Sequence, residues 1–129
     1  MKKITIKSYN GNYSVEFYKK INISIKKTKQ KNKLILIDRR VYNLYKNKLK
    51  KLVNKYPTLL IRATEKEKTI YGVKKVLNFL QKNEATRKTI LIGIGGGIIQ
   101  DIATFSSHIF YRGIDWHYYP TTLLSMSDS

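Results

Sequence analysis

The sequence of 129 residues predicts an α/β fold, a parallel sheet with helices on both faces, preceded by an N-terminal β-hairpin. Three observations predict it. The apolar runs Leu34–Ile37, Leu59–Ile61 and Ile90–Ile92 are unbroken, as strands buried on both faces require. Between them, apolar residues recur at helical spacing. The two patterns alternate three times at short intervals, as right-handed crossovers between parallel strands demand.

Ile4 and Ile6 alternate with polar residues, and Tyr13, Val15 and Phe17 alternate on the return. Asn10-Gly11 between them supplies the positive φ angles of a tight turn. Ile21, Ile23 and Ile25 continue the period of two, and a lysine-rich loop follows over residues 26–33. The first buried strand, Leu34–Ile37, ends at Asp38. Val41, Leu44, Tyr45, Leu49, Leu52 and Val53 then form one helical stripe, with Lys46, Lys48, Lys50, Lys51 and Lys55 mostly on the wet side. Pro57 stops that helix, and Leu59–Ile61 is the second strand. Thr64 and Glu67 match a capping box that opens a second helix carrying Ile70, Val73, Val76, Leu77 and Leu80. Ile90–Ile92 with Ile94 is the third strand. After Gly95-Gly96-Gly97 a mostly apolar helix runs through Phe110, and Trp116–Tyr119 is the fourth strand, closed by Pro120. With no linker or internal repeat, residues 1–129 read as one domain.

The chain has no cysteine, which removes disulfides and thiolate metal sites. Met1-Lys2-Lys3 leads into alternating residues rather than a signal peptide. The most apolar segment, Ile90 to Phe110, is interrupted by glycines and Asp101, which fits a buried core and not a membrane span. A cytoplasmic protein without a membrane partner is expected. The net charge of +18 raises the question of nucleic acid. The cations cluster between Lys19 and Tyr56, where Asp38 is the only acid, while from Thr89 onward Arg112 is the only formal cation. A solvated lysine face explains this; a basic nucleic-acid-binding module is the alternative, and steep salt dependence of polyanion binding would mark it.

Gly95-Gly96-Gly97 carries the strongest chemical signal. Glycines between a buried strand and a helix let a pyrophosphate approach the backbone, and the helix N-terminus offers free N–H donors. The spacing is not GxGxxG, and a plain tight turn is the structural alternative. Asp101, in the first turns of that helix, either offsets the helix dipole or accepts bonds from a ligand. Asp38, at a strand's carboxyl end, either caps a helix or meets ribose hydroxyls. Glu65 and Lys68 are three apart and can face one side of a helix start, and a solvated helix start is the structural alternative. Thr121 and Thr122 follow the fourth strand, where hydroxyls bind a cofactor or cap the next turn. Arg112 suits an anionic partner through charge-assisted bonds, or else pairs with Asp115 or Asp128. His108 and His117 lack metal-ligand spacing, so no metal site is expected in this segment.

Together these residues resemble the dehydroquinate synthase family of sugar phosphate cyclases. The resemblance rests on Gly95-Gly96-Gly97-Ile98-Ile99-Gln100-Asp101, Tyr111-Arg112-Gly113-Ile114, Pro120-Thr121-Thr122-Leu123-Leu124 and Asp128-Ser129, with Glu65-Lys66-Glu67-Lys68-Thr69 and Asp38 upstream. Thr64 and Gln100 depart from it, each standing where the family commonly has glycine. Glycerol-dehydrogenase-like, iron-containing alcohol dehydrogenases share the glycine triplet, the aspartate and Pro-Thr-Thr, but the Arg-Gly and Asp-Ser segments favour the cyclases.

The resemblance implies a Rossmann-like NAD-binding N-terminal domain over residues 1–129. It implies Asp38, Glu65, Lys68, Gly95, Gly96, Gly97, Asp101, Thr121 and Thr122 as NAD-binding residues, with Asp38, Glu65 and Lys68 toward adenosine and Asp101, Thr121 and Thr122 toward nicotinamide. It implies Arg112 and Asp128 as substrate-binding residues, Arg112 across a dimer interface. The implied reaction is that of a carbon–oxygen lyase of the shikimate pathway, which makes aromatic amino acids. NAD-dependent cyclisation of a heptulosonate phosphate to dehydroquinate eliminates phosphate, or a related sugar phosphate takes its place. A divalent metal, zinc or cobalt, would be held by a helical C-terminal domain outside these residues. The complete enzyme is expected to be a homodimer, and the 129-residue chain alone to be inactive.

Overall fold

The computed structural model describes residues 2–7, 9, 11–17 and 32–127. β1 (Lys2–Ile6) and β2 (Tyr13–Phe17) form an antiparallel two-stranded sheet of their own. Ile6 pairs with Tyr13, so residues 7–12 make the connection, longer than the expected two-residue turn. Gly11 does take a positive φ of 121°. Asn10, Ile21, Ile23, Ile25 and most of the expected lysine-rich loop lie outside the described residues.

The main sheet contains β3 (Lys33–Asp38), β4 (Thr58–Ile61), β5 (Ile90–Gly95) and β6 (Asp115–Pro120) in the order β4-β3-β5-β6, all parallel. Leu34, Ile35, Leu36 and Ile37 are wholly excluded from solvent. Each such side chain contributes about 1.5–3 kcal/mol by leaving water. Alternation sends Leu34, Leu36 and Leu91 into one core and Ile35, Ile37, Ile90, Ile92 and Ile94 into the other. The first core is covered by α3 (Ile70–Lys82) and α4 (Gly97–Ile109), the second by α1 (Arg39–Leu44) and α2 (Lys46–Lys55). The two-sided covering explains why the strands read as unbroken apolar runs. Lys33, expected in the loop, begins β3 with its side chain buried.

Three local expectations change. The basic helix breaks at Tyr45 (φ −117°, ψ 26°), giving α1 and α2. The break resets the helical phase, so Leu44 is exposed while Leu49 is buried. The lysines of α2 line the wet face, and those at Lys48 and Lys55 rest near the Tyr45 and Tyr56 rings, 5.8 and 5.3 Å from their centroids. The capping box does not form. Residues Glu65–Glu67 make a short 3-10 turn, Thr64 gives no side-chain capping bond, and α3 begins only at Ile70. Glu67 is drawn the other way, its carboxylate accepting bonds of 2.6 and 2.8 Å from Lys75 Nζ.

α4 is followed by a 3-10 turn, Phe110–Arg112, and Tyr111, Arg112 and Gly113 all take positive φ (50°, 62° and 114°) before β6. α5 (Leu123–Ser127) follows β6. Among the described residues no helix is long and apolar enough to cross a membrane.

Candidate functional site

The strand order contains a topological switch point between β3 and β5. From β3 the chain crosses to β4 on one side, and from β5 it crosses to β6 on the other. The connections therefore part between the carboxyl ends of β3 and β5, opening the crevice where open α/β sheets bind ligands. Asp38 ends β3, and a Cβ built on Gly95, at the end of β5, would lie 3.4 Å from the Asp38 Cβ. The turn after β4 carries Glu65 and Lys68, and the residues after β6 are Thr121 and Thr122. The carboxyl edge thus gathers Asp38, Glu65, Lys68, the glycine triplet, Asp101, Thr121 and Thr122.

The three glycines differ. On the α4 side β5 reads Leu91, Gly93, Gly95, and α4 lies close against the two glycines. A Cβ on Gly95 would come within 2.5 Å of Ile99, so this glycine serves strand–helix packing. Gly96 is the N-cap of α4, and a Cβ there would meet Thr122 at 3.1 Å. Gly97, the first residue of α4, has no described residue within 4 Å of an added Cβ. The open space and the positive end of a helix of 13 residues lie at the same point.

Around it, Lys68 Nζ lies 2.7 Å from Asp101 Oδ2, with both side chains about half exposed. Asp101, by hydrogen bond and then by charge, holds the Lys68 ammonium above its ordinary range, and Glu65 adds to this. Lys68 and Asp101 therefore face one spot, where the family resemblance set them toward opposite ends of a dinucleotide. Asp38 caps α1, its Oδ1 accepting from Arg40 N at 2.9 Å, which is the first of its two readings. Thr122 is committed to the fold: its Oγ1 donates to Ser125 Oγ (2.8 Å) and accepts from Ser125 N (3.2 Å), starting α5. Thr121 Oγ1, by contrast, is buried without a hydrogen bond among the described residues. An unmade bond at such an oxygen costs about 1–3 kcal/mol unless a ligand supplies it.

Arg112 is not part of this edge. It precedes β6 and follows α4, at the amino end of the sheet. The 13 residues of α4 separate it from Gly97 by about 20 Å. Asp128 lies outside the described residues. His108 is exposed on α4, with Nδ1 2.8 Å from Thr104 O, and His117 is half-buried in β6. Among the described residues no three of His, Cys, Asp or Glu converge as metal ligands would.

Tyr118 escaped the sequence reading. Its hydroxyl donates to Gly95 O at 3.0 Å, and burial pushes the phenol up, against a lowering hydrogen bond with Ser125. The available signal was its place two residues before Pro120, on the strand face shared with Trp116.

Sheet order, switch point and glycine turn define a Rossmann-like domain. A family model described as "3-dehydroquinate synthase N-terminal" matches residues 58–129, more than half of the chain. The chain belongs to the 3-dehydroquinate synthase family. It is 35% identical over 126 residues to the 3-dehydroquinate synthase of Buchnera aphidicola subsp. Cinara cedri, covering 95% of this chain and 34% of that protein. It is 35% identical over 106 residues to that of Clostridium tetani, covering 80% of this chain and 28% of that protein. The chain thus spans no more than about a third of these relatives. Among solved structures, 2-epi-5-epi-valiolone synthase from Streptomyces hygroscopicus subsp. jinggangensis 5008, with NAD+ and Zn2+ bound, superposes with a TM-score of 0.68 at 27% identity. That match covers 75% of this chain and 28% of the other. A 2-deoxy-scyllo-inosose synthase in complex with carbaglucose-6-phosphate, NAD+ and Co2+ shares the fold at a TM-score of 0.63 and 23% identity, over 75% of this chain and 28% of that one.

Proposed function

We propose that this chain is the NAD-binding N-terminal part of a dehydroquinate-synthase-type enzyme, whose complete form cyclises a heptulosonate phosphate to dehydroquinate with loss of phosphate. The observation that carries the reading is the gathering of Asp38, Glu65, Lys68, Gly96, Gly97, Asp101 and Thr121 along the carboxyl edge of the sheet, to either side of the switch point. Family membership and a structural neighbour with NAD+ bound support it.

The residues present fit a dinucleotide. Gly97 leaves open space at the α4 N-terminus for a pyrophosphate, and Thr121 Oγ1 has a bond to give or accept. Asp38 and Glu65 suit ribose hydroxyls. The Lys68–Asp101 pair sits beside the middle of the crevice, where the ammonium can turn to a phosphate and free the carboxylate for a hydroxyl or amide. Bound NAD supplies a reversible hydride acceptor for a substrate hydroxyl. A zinc or cobalt ion belongs to residues outside this segment, so the 129-residue chain binds NAD without cyclising substrate. Arg112, at the amino edge, meets an anionic substrate group only across a homodimer interface, and Asp128 accepts from substrate hydroxyls. The setting is cytoplasmic and involves no nucleic acid.

The test is calorimetric titration of NAD into the chain and into Gly97→Ala. The alanine methyl meets nothing among the described residues, so folding should be unharmed, but it enters the proposed pyrophosphate space. The expected result is NAD binding in the parent, weakened about tenfold, or about 1.4 kcal/mol, in the variant. Equal affinities would remove the glycine turn from the site. Absence of NAD binding together with steeply salt-dependent polyanion binding would favour the basic-module reading instead.

A further inference from the structure

The carbonyl of Gly95 is held from two sides. Tyr118 OH donates to it at 3.0 Å and Thr121 N at 2.9 Å. Tyr118 can reach it because β5 is glycine on that face. A Cβ on Gly93 would touch the Tyr118 ring at 3.6 Å, together with Ala103 and Ile99, so the ring passes over the glycine and points its hydroxyl toward the end of β5.

In a trans peptide the C=O and the following N–H point in opposite directions. No cis bond occurs among the described residues. With Gly95 O drawn toward β6, the N–H of Gly96 is turned the other way. Gly96 O, meanwhile, accepts from Ile99 N (3.0 Å) and Gln100 N (3.2 Å), which ties the next peptide to α4. Both peptides of the glycine turn are thereby fixed, and glycine is the residue least able to fix them by itself.

We infer that Tyr118 is a positioning residue, whose hydroxyl clamps the Gly95 carbonyl and so aims the amides of the glycine turn at an anionic group in the crevice. The anion is the pyrophosphate of a dinucleotide, and in that respect the inference rests on the NAD reading. Tyr118 does not touch the ligand. It acts through the Gly95–Gly96 peptide, and the phenol ring supplies the packing while the hydroxyl supplies the aim.

Tyr118→Phe removes only the hydroxyl. The full chain and this variant are compared in two measurements, with Tyr119→Phe as control because Tyr119 packs in the opposite core. The first is ligand-free: the amide NMR signals of Gly95, Gly96 and Gly97 should move in Tyr118→Phe and stay in the control. The second titrates ADP and adenosine. ADP affinity should fall about three- to tenfold, the worth of one hydrogen bond, with adenosine affinity unchanged. A merely structural role would weaken both ligands alike and overturn the inference, as would unmoved glycine signals. If the parent chain binds neither ADP nor NAD, the NAD reading fails, and the clamp stands or falls on the amide signals alone.

Discussion

A methyl group placed on Gly95 strikes Ile99, on Gly96 it presses Thr122, and on Gly97 it meets no described residue. Gly95→Ala should therefore lower unfolding free energy by about 1–3 kcal/mol, the usual effect of overpacking, as read from urea denaturation. Gly97→Ala should leave the urea midpoint unchanged or slightly higher, since alanine favours helix by up to about 1 kcal/mol. The letters Gly-Gly-Gly announced a close approach but not which neighbour each glycine approaches; those neighbours, Ile99 and Thr122, come from a helix turn and from the far side of β6. Tyr118 adds a pH signature. Burial holds its phenol above the ordinary value, so the folded chain keeps the proton longer than the unfolded one. Stability from this group is whole below about pH 10 and is lost as pH rises through the folded value. Lys68, held up by Asp101, loses its share in the same direction. Tyr118→Phe should thus flatten part of the alkaline decline in urea midpoint, and an unchanged decline would mean the phenol is not the group responsible.

Among the elements, the 3-10 turn Glu65–Glu67 depends on one helical glycine. A Cβ on Gly72 would collide with the Glu67 carbonyl oxygen, so α3 admits the turn only because residue 72 has no side chain. Gly72→Ala should push the turn outward, lower stability by about 1–3 kcal/mol and weaken NAD binding through displaced Glu65 and Lys68. Differential scanning calorimetry and NAD titration on the same variant check the two effects together; a stable variant with full NAD affinity would show the turn to be independent of its seat. Strands and helices were legible because burial on two faces writes itself as unbroken Leu and Ile, and burial on one face as a helical stripe. The capping box was not, since Lys75, eight residues beyond Glu67, competes for the carboxylate and sequence spacing cannot weigh that. Nor was the break at Tyr45, whose stripe of apolar residues continues in sequence on both sides of it.

At the scale of the whole molecule, candidate residues close in sequence lie far apart. Asp101 and Arg112 are eleven positions apart, yet α4 carries the chain from the carboxyl edge to the amino edge between them. Arg112→Ala should leave NAD affinity of the chain unchanged by calorimetry, while in the complete enzyme proposed above it should raise substrate KM or cut turnover more than tenfold, about 1.4 kcal/mol or more. Loss of NAD binding in that variant would make Arg112 structural. The alternation of strand and helix foretold the direction of α4, but placing Arg112 also needed the end of that helix, which the extended Phe110 and the positive φ angles of Tyr111 to Gly113 define. The same strand order governs how the chain comes together. β3 finds its central partner in β5, with Lys33 opposite Ile90, and the local neighbour β4 occupies only its outer side. Closing a ladder across so long a stretch is slow, because the entropy of the intervening chain must be surrendered before the pairing rewards it. During synthesis the inner edge of β3 therefore leaves the ribosome long before its partner exists, and the nascent chain is most prone to aggregate between the emergence of Leu34 and that of Gly95.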